Sequence, residues 1–207
     1  MKRRVTAAPR PSVRGSKSQP ARLAFRPLTP PRWADLLRLF GPRGACAGCW
    51  CMYWRRKRSE YERAKGAGNR GAFRKIVLSG ATTGILAYRG REPIAWCAMA
   101  PRADYPVLAN SRILKPVDDT PVWSVTCLFV RREHRRGGVT VPLLRAAVDL
   151  AGRKGGRIVE GYPIEPAQGD IPAAFAWTGL ASAFRKAGFK EVARRSATRP
   201  IMRASIP

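Results

Sequence analysis

The stretch Val122-Trp-Ser-Val-Thr-Cys-Leu-Phe-Val130, followed by Arg131-Arg-Glu-His-Arg-Arg-Gly-Gly-Val-Thr140 and Val141-Pro-Leu-Leu-Arg-Ala-Ala-Val148, constrains the fold more than any other part of the chain. It reads as a buried strand, a short basic loop with two glycines, and the opening of an amphipathic helix. In the strand, Trp123, Val125, Cys127 and Phe129 alternate with Ser124, Thr126, Leu128 and Val130. Both rows are largely apolar, as a strand covered on both faces requires. Leu144, Ala147, Val148 and Ala151 then recur at helical spacing, and Gly155-Gly156 ends the helix. Pro142 falls in or beside the first turn, where a missing N–H costs least. A chain that turns from strand to helix through glycines leaves backbone N–H groups unpaired and aimed at one point, and such a point attracts phosphate. Gly137 and Gly138 permit close approach, and Arg135 and Arg136 add guanidinium groups. The expected phosphate site is therefore Arg135, Arg136, Gly137, Gly138, Val139 and Thr140. The plainer reading is a turn whose glycines serve geometry alone.

The rest of the chain alternates strands and helices. Residues 23–26 form a short strand. Pro30-Pro31 opens a helix carrying Trp33, Leu36, Leu37 and Phe40, which Gly41-Pro42 and Gly44 end. Residues 56–74 are polar and helix-prone, interrupted at Gly66, Gly68 and Gly71. Residues 84–88 and 94–99 flank Arg89-Gly-Arg-Glu92, a turn signal, and read as a hairpin. Residues 101–112 read as an irregular loop or short helix. A strand over 157–162, a helix over 175–187 stopped by Gly188, and strands over 189–194 and 200–203 complete an α/β (α+β) pattern. One domain over residues 22–207 is predicted. Residues 1–21 hold Pro9, Pro11, Ser16 and Pro20 with few large apolar side chains, and are predicted to be a disordered basic tail.

The formal charge is +27, from 40 Lys and Arg against 13 Asp and Glu. No acidic residue precedes Asp35. Such an excess suits a polyanionic partner or a cofactor with several phosphates. The basic run at residues 55–58 and the tail could give RNA salt-sensitive, sequence-blind contacts, but no recognition-helix, RNP or zinc-finger pattern accompanies them. The five cysteines are an odd number, no apolar run has the length of a spanning helix, and the basic N-terminus lacks an apolar core segment. These features point to free thiols in a reducing cytoplasm and to no membrane partner. Cys46, Cys49 and Cys51 offer three of the four ligands zinc wants, with no histidine near. They are read as small thiols beside Trp50, Tyr53 and Trp54, and no metal is expected.

The order of strand, Arg135-Arg-Gly-Gly138-Val-Thr140 and Leu143-Leu144 resembles motif A of the GNAT N-acetyltransferases, written Arg or Gln, two residues, Gly, one residue, Gly or Ala. Arg135 and Gly138 match, while Thr140 stands where a small residue is usual. Downstream, Phe184-Arg-Lys-Ala-Gly188-Phe189 resembles the family's aromatic-x-Lys-x-Gly-Phe signature. The resemblance is strongest over residues 120–195. It implies a mixed, mostly antiparallel twisted sheet flanked by helices, with the strands 122–130 and 157–162 splayed apart. It implies acetyl-CoA as cosubstrate, its pyrophosphate on residues 135–140 and its pantetheine along the backbone of Leu128, Phe129 and Val130. The product would be an acetylated amine, borne by a small molecule or a protein.

Two family roles find no counterpart. The tyrosine that often protonates the leaving thiolate is here Phe184, and the carboxylate early on the central strand is here Ser124. Glu160, Tyr162 and Cys127 are the substitute catalytic candidates, and His134 is read as a loop-packing residue. Trp50, Tyr53 and Trp54 lie where the family builds its acceptor side and are the candidate substrate-binding residues. Two alternatives stay open: a nucleic-acid-binding module with weakened catalysis, and acetylation of an RNA- or ribosome-borne amine. Either a monomer or a homodimer is compatible.

Overall fold

A computed structural model describes residues 22–167, 171–172 and 175–206. The predicted basic tail lies outside the described residues. Seven strands make one mixed sheet: β1 (Leu23–Pro27), β2 (Gly84–Arg89), β3 (Glu92–Pro101), β4 (Trp123–Val130), β5 (Ile158–Gly161), β6 (Lys190–Arg194) and β7 (Pro200–Ser205). Their spatial order is β1-β2-β3-β4-β5-β7-β6, and every pairing is antiparallel except β4 with β5. The mixed, mostly antiparallel sheet expected from the sequence is therefore the observed one.

Helices cover both faces. On one, α5 (Thr140–Arg153) buries Leu143, Leu144, Ala147, Leu150 and Ala151 against Val125, Leu128 and Val159, with α6 (Ala181–Ala187) beside it. On the other, α1 (Trp33–Phe40) and α3 (Ala67–Leu78) pack Trp33, Leu36, Phe40 and Phe73 around Trp50 and Trp96. Burying side chains of this size contributes about 1.5–3 kcal/mol each. A third, smaller cluster joins Tyr105, Leu108, Leu114, Tyr162 and Ile201, with the short α4 (Pro106–Ala109) forming its edge.

Several boundaries differ from the sequence reading for identifiable reasons. The polar stretch after residue 56 is two helices, α2 (Arg58–Arg63) and α3, broken at Gly66 with φ 82°. Gly68 and Gly71 lie inside α3 and interrupt nothing. The helix expected over 175–187 begins only at Ala181, because Gly179 takes φ 85° and Leu180 is extended, bridging Ile164 in parallel.

The central strand departs most. Ala98 pairs with Cys127 and Met99 with Val125, so Thr126 is an extra residue on β4, a β-bulge. The inserted residue reverses the alternation. Trp123, Val125, Leu128 and Val130 face α5, whereas Cys127 and Phe129 face α1 and Trp96. Strict period-two reading assigned Cys127 and Phe129 to the face of Val125, which a bulge makes wrong.

Close packing fixes the end of β5. A Cβ on Gly161 would lie 2.1 Å from the Phe184 ring, and one on Gly179 would lie 2.8 Å from the same ring. Gly161→Ala is expected to destabilise the protein by about 1–3 kcal/mol through overpacking. Phe184→Leu added to it should restore part of the loss. Urea denaturation of the single and double variants checks both.

Candidate active site

β4 and β5 pair over only three positions, Trp123 with Val159, Ser124 with Glu160 and Val125 with Gly161. Beyond the bulge the two strands part. Arg131 donates its N–H to Ile94 O on β3, so by the alternation of an antiparallel ladder Leu128 and Val130 direct theirs to the β5 side. These are the groups the resemblance assigns to pantetheine. One is engaged: Leu128 donates to the carbonyl of Trp177 at 2.7 Å. The segment 175–180 thus enters the opening, held by Ile164 N–H to Gly179 O at 2.8 Å and Ala181 N–H to Ile164 O at 2.9 Å.

The loop after β4 is a 3-10 turn, Arg132–His134, running into α5. Arg136 and Gly138 are left-handed, with φ 60° and 72°, and flank Gly137. This alternation aims successive N–H groups inward, as an anion nest does. Among the described residues, the N–H groups of Gly137, Gly138, Val139, Thr140 and Val141 donate to no backbone carbonyl. No side chain caps α5. These five orphan donors and the positive end of a 14-residue helix therefore face the loop. Gly138 has open space where a Cβ would stand.

Ion pairs pin the loop's base. Arg131 bonds Glu92 and meets Glu133 at 2.8 Å. Arg135 Nε donates to Val130 O at 2.9 Å, and Arg89 approaches His134 Nδ1 at 3.4 Å. His134 packs the loop, as read from the sequence. Leu128, Phe129, Val130 and residues 135–140 thus sit around one strand end and one helix start.

Glu160 and Tyr162 come together with residues the sequence did not flag. Tyr162 OH donates to Glu160 Oε1 at 2.7 Å and lies 2.8 Å from Ser124 Oγ. Arg102 Nη1 donates to Glu160 Oε1 at 2.8 Å and to Tyr162 OH at 2.5 Å, and Arg203 Nε donates to Glu160 Oε2 at 2.8 Å. Glu160 is wholly buried, and both of its oxygens are held by guanidinium groups. Burial first, and then Glu160, push the Tyr162 hydroxyl far above the usual phenol range, so it keeps its proton. Arg203 also grips Asp118, whose carboxyl its hydrogen bonds hold well below the usual range. Arg102 and Arg203 are far from Glu160 in sequence, and only the buried carboxylate on β5 could have hinted at them.

The cysteines do not converge on a metal geometry. Among the described residues the one group with ligand-like spacing is Glu92, Glu133 and His134, already tied into the loop's ion pairs. The proximity of Cys51 and then burial raise the Cys127 thiol well above its usual value. Cys127, and Trp96 Nε1–H at 3.2 Å from Cys51 Sγ, lower Cys51.

The candidate acceptor residues divide. Trp50 is core, ringed by Trp33 and Phe40 at centroid distances of 6.2 and 5.6 Å. Tyr53 and Trp54 are partly exposed and meet Trp177 at 5.4 and 6.0 Å. Sequence reasoning missed Trp177 because it placed that residue in a helix.

Residues 47–164 match the model of the acetyltransferase (GNAT) family, more than half of the chain. The chain belongs to this family of acyl-transferring enzymes. Among curated protein sequences none matches it significantly. Similar solved structures include the aminoglycoside acetyltransferase AAC(6')-Ib in complex with ribostamycin and coenzyme A, at TM-score 0.52 and 14% identity over 88% of this chain and 93% of that one. Another is Arabidopsis thaliana NAA60 in complex with acetyl-CoA, at 0.50 and 17% over 89% and 100%. A third is the NatC complex bound to Gag peptide and CoA, at 0.50 and 10% over 89% and 99%. At these identities the likeness is one of fold. No helix among the described residues is long and apolar enough to cross a membrane.

The buried network sets a stability expectation. Removing one partner of a buried ion pair leaves uncompensated charge. Glu160→Gln strands two guanidinium groups and should cost about 3–5 kcal/mol, read from the shift in the urea midpoint.

Proposed function

We propose that the chain transfers an acetyl group from acetyl-CoA to a primary amine. The observation that carries this is the loop: five consecutive positions, residues 137–141, whose main-chain groups serve no carbonyl of the protein. Pro142 follows them without a donor. Donors so arranged match a diphosphate better than any neutral ligand. Arg135 and Arg136 supply guanidinium groups from the same loop. The pantetheine arm would then run back along β4 towards the bulge. There Val130 N–H faces the opening, and Leu128 N–H becomes available once Trp177 O lets go.

The tetrahedral intermediate needs donors where negative charge develops. Backbone N–H groups around the bulge are suited to this, since the sheet leaves them unpaired on the β5 side. A neutral amine attacks the thioester carbon, the carbonyl re-forms as the C–S bond breaks, CoA leaves as thiolate, and the proton that the nitrogen sheds passes through water to restore the donor that protonates the sulfur. Tyr162, which keeps its proton, is the best candidate to return one to the thiolate. Glu160 fits a positioning role, because two arginines hold both of its oxygens. Cys127, whose thiol the neighbouring Cys51 and burial raise well above its usual value, is poorly suited as a nucleophile.

Isothermal titration should show acetyl-CoA binding at micromolar to millimolar affinity. Gly138→Asp should abolish it, because a carboxylate would then oppose the phosphates. Gly138→Asn, equally tolerant of the left-handed backbone, should retain most of it. Equal affinity for wild type and Gly138→Asp would remove the loop from the site.

Tyr162→Phe is expected to lower kcat by about 10²-fold or more while leaving acetyl-CoA affinity within about twofold. Steady-state release of free CoA, set beside the titration, separates the two effects.

A further inference from the structure

Five buried side-chain polar atoms among the described residues have no hydrogen-bond partner, and three of them lie together: Trp54 Nε1, Arg55 Nη2 and Tyr105 OH. Arg55 stacks on the Tyr105 ring at 4.5 Å, and Trp54 packs against the cluster that holds Tyr105. The other two atoms belong to Thr83 and Arg89. A buried polar group without a partner is costly, so three in one place point to a missing ligand.

The chemistry of the three narrows that ligand. Indole and guanidinium nitrogens only donate, and a phenol can donate. The ligand must therefore bring acceptors. It should also bring negative charge. The Arg55 side chain is 6% exposed, and its single ion pair, with Asp104, is long at 3.5 Å. Its other partner is Asp104 O at 3.4 Å. A buried guanidinium so weakly matched favours a carboxylate, whose two oxygens fit its fork.

The place is also specific. The Tyr105 hydroxyl approaches Thr126, the bulge residue of β4, without completing a hydrogen bond. Trp54 lies beneath Trp177, whose carbonyl occupies Leu128 N–H in the opening. Displacing Trp177 would free Leu128 N–H and uncover the Trp54 ring together. A carboxylate held there would leave an amine on the same small molecule within reach of the bulge.

We propose that Trp54, Arg55 and Tyr105 anchor the carboxylate of the acceptor, which is therefore a small amine that also carries a carboxylate, such as an amino acid. This rests on the acetyl-transfer reading above.

The test uses matched pairs: L-phenylalanine with L-phenylalaninamide, and L-methionine with L-methioninamide, each with acetyl-CoA. The amide's amine is the less basic, so a preference for the acid runs against intrinsic reactivity. The acids should be favoured in kcat/KM by roughly ten- to a hundredfold. Arg55→Met and Tyr105→Phe, each checked for native circular dichroism, should shrink that ratio while acetyl-CoA affinity holds. In parallel, titration of the CoA-loaded protein with N-acetyl-L-phenylalanine and its amide should show the acid binding more tightly. Equal use of acids and amides, or a preference unchanged in both variants, overturns the proposal. So does a failure of the acids both to react and, as N-acetyl derivatives, to bind. Absence of acetyl-CoA binding in the separate titration would instead sink the acetyl-transfer reading.

Discussion

A strand that bulges at Thr126 and parts from its neighbour after Val125 has backbone donors its own sheet does not satisfy. Everything else in the candidate site follows from where those donors find partners. Unpaired N–H groups are tolerated at a surface cleft and costly in a core. Here one of them, on Leu128, is met by the carbonyl of Trp177. The protein thus places its own peptide group where a ligand carbonyl would sit. The contact is a single hydrogen bond, worth about 0.5–1.5 kcal/mol net, which a ligand supplying the same acceptor can replace without loss.

The loop after β4 obeys the same accounting with a different outcome. Its acidic neighbours, Glu92 and Glu133, are turned onto Arg131 at the base. Negative charge is thereby drawn away from the helix start, and the main-chain donors of residues 137–141 are left to whatever approaches. The left-handed conformation of Arg136 costs free energy for a side chain that is not glycine. The opposing amides it aligns are the compensation the geometry offers. The chain's large positive charge acts on a longer range, raising the local concentration of polyanions rather than shaping the pocket.

Much of this frame is legible in the sequence because it depends on local chemistry. Glycine after strand, proline in the first helical turn and arginines within the loop act over a few residues, and each landed where periodicity and turn rules put it. The bulge was not legible. Thr126 is as good a strand residue as its neighbours, and the shift in register arises from how β3 and β4 fit as surfaces. The start of α6 was misjudged for a related reason. Phe175 and Trp177 continue an apolar pattern, but Gly179 must lie flat between Leu128 and Phe184, which breaks the helix there. Arg102 and Arg203 around Glu160, and Arg55 over Tyr105, are pairings between distant elements. No spacing rule brings such residues together before the sheet is built.

The Glu160 network shows why a buried ion cluster can persist where an apolar core would serve stability as well. Two arginines, from the end of β3 and from β7, meet a carboxylate on β5, and Tyr162 completes the set. Apolar side chains would hold these elements together without specifying distance. Directional bonds fix β5 relative to β4 at the last residues they share, and so fix the angle at which the strands part. Ser124, bonded to Tyr162, carries that register onto β4 two residues before the bulge. The position of the Tyr162 hydroxyl is then an outcome of three directional contacts, with Arg102, Ser124 and Glu160, rather than of packing, which is the accuracy that the proposed role of proton donor would require.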